Sequence, residues 1–181
     1  MSSVQGIAQV TSLLAAAMLA GCATSVMPDG PDTAGSSNSR SGRTCDNLRL
    51  VIDQESVGFR DIREHKTSTR MATLWEARPV FASGECLIWE WAADRTNYVC
   101  TWKHADESTA RRLYEEYVPV VADCLGPAWT AAEKTMQTGR ATAFSGPANT
   151  NVYLLYFQEK GGASAGWSTN LVVGDDVRMS P

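Results

Sequence analysis

ECLIWEWAADRTNYVCTW, Glu85–Trp102, holds two apolar runs set around Ala92-Ala93-Asp94-Arg95, and the way this stretch folds decides the rest of the chain. Both runs are rich in aromatic and β-branched residues, which favour strands. Cys86 and Cys100 lie equally far from Ala93. In an antiparallel hairpin centred there they sit opposite each other on one face. Alternation along the first run sets Cys86 and Ile88 on one side and Leu87, Trp89 and Trp91 on the other. Both sides are apolar. A strand of this kind belongs to a sheet that is either covered on both faces or covered on one and offered to a partner on the other.

Working outward, further strands are expected at Met71–Phe81, Glu85–Trp91, Asn97–His104, Thr142–Ser145, Asn151–Lys160 and Gly166–Val173. The fifth repeats the two-faced pattern, with Val152, Leu154 and Tyr156 against Tyr153, Leu155 and Phe157. GGASAG, Gly161–Gly166, joins the last two as a hairpin loop; it neither leads into a helix nor carries the lysine of a phosphate loop. Two helices are expected. Leu48, Val51, Ile52, Phe59 and Ile62 recur at helical spacing from Cys45 to about His65, with Thr44 as cap and Gly58 as a weak point. Leu113, Tyr114, Tyr117, Val121 and Cys124 form a stripe from Asp106 to Leu125, capped by Asp106, stopped by Gly126-Pro127, and kinked or split at Pro119. The order α-β-β-β-α-β-β-β predicts an α+β fold, an antiparallel sheet of about six strands with both helices on one face. In element order it resembles type III secretion chaperones, a likeness that implies no function. Two helices cover one face, so the second needs the Trp129–Ala141 segment, the C-terminal tail, a second copy or another protein. For a protein partner, Trp89 and Trp91 are the candidate contacts, because tryptophan dominates interface energetics.

The chain has 181 residues, 44% hydrophobic and 20% charged, with net charge −4, which fits one globular domain with a core of its own. Without a cluster of Lys and Arg, nucleic acid is excluded as a partner. The first charged residue is Asp29, and the apolar run Val10–Ala20 is too short to span a bilayer. It reads as an export signal, although no Lys or Arg precedes it. Leu19-Ala20-Gly21-Cys22 follows it and resembles the lipobox of bacterial lipoproteins. The resemblance implies cleavage after residue 21, a diacylglycerol on the Cys22 thiol and acylation of its amino group. Several acyl chains on one residue make membrane anchoring stable. Ala23 in place of Asp implies, by the same resemblance, sorting to the outer membrane, with the protein on its periplasmic face. Residues 22–44, rich in Ser, Gly, Pro and Asp, are then a flexible tether reaching about 25 Å, and 45–181 is the α+β domain.

Five cysteines less Cys22 leave Cys45, Cys86, Cys100 and Cys124 in a compartment where disulfides persist. Four cysteines allow three connectivities, and composition does not choose. The hairpin favours Cys86 with Cys100, leaving Cys45 with Cys124 to join the start of one helix to the end of the other; the competitor pairs Cys100 with Cys124 and Cys45 with Cys86.

Catalysis finds little to stand on. The two histidines, His65 and His104, lie in polar surroundings, Glu115 and Glu116 stand beside Arg111 and Arg112 on an outer face, and no nucleophile motif is present. No metal and no cofactor is expected. The reading is a non-enzymatic, membrane-anchored envelope module with an envelope protein as its partner. The alternative is a cell-wall glycan-binding or hydrolytic lipoprotein whose tryptophans stack on sugars.

Overall fold

The computed structural model describes residues 35–68, 72–92, 95–160 and 165–174. The lipobox, Cys22 and the part of the tether before residue 35 lie outside them. In order come α1 (Gly35–Glu55), a 3-10 turn (Arg60–Ile62), β1 (Arg63–Ser68), β2 (Thr73–Ala77), β3 (Glu85–Ala92) and β4 (Arg95–His104). Then follow α2 (Glu107–Leu125), β5 (Thr130–Met136), β6 (Gly139–Ser145), β7 (Asn151–Gln158) and β8 (Trp167–Gly174). All eight strands form one antiparallel sheet in the order β1-β2-β3-β4-β8-β7-β6-β5. The fold is α+β. Each half is a helix followed by a four-stranded meander, and the halves join where β4 pairs with β8.

The quoted stretch is the β3–β4 hairpin, with Cys86 opposite Cys100 and Trp89 opposite Asn97. A disulfide joins Cys86 to Cys100, and another joins Cys45 in α1 to Cys124 at the end of α2. One face of the sheet, carrying Ile88, Tyr98, Leu171, Val173, Leu154 and Phe144, packs on Leu48 and Val51 of α1 and on Ala110, Tyr114 and Val121 of α2. The Tyr98 hydroxyl accepts from Val80 N–H at 3.1 Å and donates to the Arg78 carbonyl at 2.7 Å, tying the loop after β2 to the core. The cap at Asp106 is made: its carboxylate accepts from the backbone N–H of Thr109 at 2.9 Å, and Gly126 N–H closes the helix on the Ala122 carbonyl.

Several expectations are corrected. The antiparallel sheet has eight strands where about six were expected. β1 replaces what the apolar spacing made the last turns of a helix running to His65, because α1 stops at Glu55. Gly58 and Phe59 there have positive φ (66° and 59°), and Phe59 N–H returns to the Gln54 carbonyl at 2.8 Å. Once reversed, the chain pairs Lys66 with Trp75, and Arg63 and Lys66 both lie over the Trp75 ring. α1 starts at Gly35, ahead of the expected start at Cys45. Thr44 is therefore inside the helix and does not cap it. The Trp129–Ala141 segment supplies β5 and the start of β6 instead of a cover. α2 runs unbroken through Pro119, which faces solvent, so the carbonyl it deprives is open to water.

Candidate functional site

No described helix packs on the other face of the sheet. Its middle strands carry Trp89 and Trp91 (β3), Asn97, Val99 and Thr101 (β4), Asn170 and Val172 (β8), and Leu155 and Phe157 (β7). These residues share a face because the register sets Trp89 against Asn97, Val99 against Val172, Thr101 against Asn170 and Leu155 against Asn170. They line a groove of about 630 Å³ together with Met136 of β5, Thr138, Gln158, Glu159 and Lys160. That is the size range of sites that accept a drug-sized ligand or a few anchoring side chains.

The wall on β3 is aromatic. Trp89 and Trp91 stand two residues apart on one face, so their rings stack, with centroids 4.9 Å apart and planes inclined by 27°. Trp91 keeps 46% of its surface exposed. The floor is apolar at its centre, where Val172 and Leu155 are buried. Polar groups fall beside it. Thr101 Oγ1 donates to Asn170 Oδ1 at 2.6 Å, and the Ser168 hydroxyl donates to the Glu159 carboxylate. Asn97 is 6% exposed and its Oδ1 has no hydrogen-bond partner.

Of the residues singled out in the sequence, Trp89 and Trp91 are brought together at the groove. The four bridging cysteines are not: Cys86 and Cys100 lie on the helix-covered face and Cys45–Cys124 joins the helices, which are structural roles. Cys22 lies outside the described residues. His65 is exposed on β1. His104 Nε2–H donates to Thr169 Oγ1 at 3.1 Å, since that hydroxyl gives its own proton to the Ala110 carbonyl at 3.0 Å. Burial holds the His104 pKa below the usual imidazole value, with Arg112 adding to the effect and Asp106 opposing it. Among the described residues no three His, Cys, Asp or Glu side chains converge as a metal site would need. Glu159 is the one carboxylate among the described groove residues, and glycoside hydrolysis needs two about 5–10 Å apart.

Sequence reasoning missed Asn97, Val99, Val172, Phe157 and Met136. Alternation places each on a face, but only the β4–β8 pairing, which joins strands from opposite halves of the chain, brings them to one groove. Compared with family models, curated proteins and solved structures, the chain matches none.

Proposed function

We propose that this protein is a lipid-anchored envelope module, held on the periplasmic face of the outer membrane through Cys22, that binds another protein through the open face of its sheet and carries out no catalysis. The observation that carries the reading is the groove itself: Trp91, 46% exposed, stacked on Trp89 beside half-buried Val99 and buried Val172 and Leu155, on the face that carries neither helix. An exposed tryptophan at the wall of an apolar groove is the residue type that anchors a partner. Two bridges between buried or half-buried cysteines support a chain that matures in an oxidising compartment. No described helix is long and apolar enough to cross a membrane, so a lipid at Cys22 supplies the attachment in this reading.

A glycan ligand is the second reading, favoured by the tryptophans. Against it, each ring of the pair gives one face to the other, and the residues beneath them are Val99, Val172 and Leu155.

The test is affinity capture from envelope extract with the acylated wild-type protein beside Trp89→Ala and Trp91→Ala. One specific protein retained by wild type and lost from both variants is expected, with affinity reduced about tenfold or more. Retention on purified peptidoglycan that survives protein competitors moves the function to the wall, and retention of neither ligand overturns both readings.

A further inference from the structure

Independently of any protein partner, we infer that the groove binds a long-chain fatty acid, with the hydrocarbon lying along Trp89, Val99 and Phe157 and the carboxylate meeting Lys160. At about 630 Å³ the groove has the volume of a small-molecule site. The surfaces it leaves open are apolar: Trp91 is exposed, and Trp89, Val99, Phe157 and Met136 are half-buried, beside the buried Val172 and Leu155. The polar side chains on the same face are turned to one another. Thr101 Oγ1 donates to Asn170 Oδ1 at 2.6 Å, and the Ser168 hydroxyl donates to the Glu159 carboxylate. Asn97 Oδ1 is closed off beside Gly174, where a Cβ would collide with it.

A groove of this kind selects a ligand that asks it for few hydrogen bonds. A peptide brings a donor and an acceptor with each residue and a sugar brings several hydroxyls, and each such group buried without a partner costs affinity. A hydrocarbon chain brings none, and its methylenes gain by leaving water. The head group is set by charge. Lys160 is the one cation among the described groove residues; it is exposed and makes no ion pair with any described residue. Glu159 beside it weakens its pull on an anion, so the chain carries most of the affinity and the carboxylate fixes which way the chain lies.

The experiment uses the full chain as Cys22→Ser, with both disulfides formed, because a protein without an acyl group of its own needs no detergent. Dibrominated stearate is titrated below its critical micelle concentration, since bromine quenches indole fluorescence on contact. Saturable quenching is expected in this protein and none in Trp89→Phe/Trp91→Phe, which keeps an apolar surface and whose remaining tryptophans do not line the groove. Unbrominated fatty acids should displace the probe, with affinity falling about two- to fourfold for each methylene removed. Lys160→Glu should weaken stearate about threefold and leave stearyl alcohol unchanged. Absence of saturable quenching, quenching that survives in Trp89→Phe/Trp91→Phe, or displacement independent of chain length overturns the inference and leaves the protein-binding reading standing, because capture of a partner tests that separately. Equal effects of Lys160→Glu on stearate and stearyl alcohol overturn the assignment of the head group. Fatty-acid binding by a protein that captures no envelope partner overturns the protein-binding reading alone.

Discussion

The two disulfides close loops of very different length, and that difference sets a measurable inequality. Cys45–Cys124 spans a sequence separation of 79 and Cys86–Cys100 one of 14. If a bridge acts by restricting the unfolded chain, the long loop is worth about 4.5 kcal/mol and the short one about 3 kcal/mol. Replacing cysteines confounds this, because Cys86, Cys100 and Cys124 are buried in the core and each substitution also removes packing. Reduction within single-bridge variants avoids the problem. In the Cys86→Ala/Cys100→Ala protein, dithiothreitol opens only the Cys45–Cys124 bridge; in the Cys45→Ala/Cys124→Ala protein it opens only the hairpin bridge. Urea unfolding before and after reduction gives each term, with the long bridge expected to exceed the short by about 1.5 kcal/mol. Opening it should also steepen the denaturant dependence more, since the released unfolded chain exposes more surface. If the hairpin bridge proves worth as much as the long one, restriction of the unfolded state is not how these bridges act here.

Tyr98→Phe keeps the ring, strands the buried Val80 N–H and releases the Arg78 carbonyl, whose residue is exposed; a loss of about 1–3 kcal/mol is expected in urea unfolding. For His104, burial lowers the folded pKa, so on acidification the unfolded chain takes up the proton first. Its contribution is complete above about pH 6.5 and declines as pH falls below that value; His104→Gln, which retains a donor for Thr169, should flatten this part of the stability profile relative to wild type. Gly139 has φ of 118°, and a side chain there would run into the Tyr156 carbonyl of the neighbouring strand. Gly139→Ala should therefore lower the melting temperature markedly, whereas Gly42→Ala, with open space around it, should not.

The hairpin was legible because its evidence is local. Two cysteines equidistant from a turn, with apolar residues on both sides of the strand, leave one arrangement that is easy to write down. The cap at Asp106 and the stop at Gly126 are legible for the same reason. β1 and β5 were not. REHKTS and TAAEKTM are polar, with alanine, glutamate and lysine that suit a helix at least as well, and they are strands because a neighbouring strand offers its free edge. Strand preference is set largely by the neighbours a residue meets, so an edge strand leaves little trace in its own sequence. The groove was half legible. Trp89 and Trp91 follow from alternation, but Asn97 looks like any residue inside a strand until Gly174 is placed across from it.

The palindromic strand order makes the position of the groove a consequence of the topology. With β4 and β8 antiparallel at the centre, β3 and β7 occupy corresponding places on either side of the seam, each following its own half's second strand. Both helices lie on one side and are joined by Cys45–Cys124, and the groove lies on the other face, over the seam where Val99 meets Val172. The two halves do not fill their corresponding positions alike. β3 supplies Trp89 and Trp91, while β7 supplies Leu155 and Phe157. Polarity is unequal too: along β4, Asn97 on one side of Val99 has a buried Oδ1 without a partner, and Thr101 on the other is paired with Asn170. A symmetric sheet would hold a partner equally well in two orientations. In the protein-binding reading the unequal walls distinguish them: one orientation sets a partner's anchoring side chain against Trp89 and Trp91, the other against Phe157.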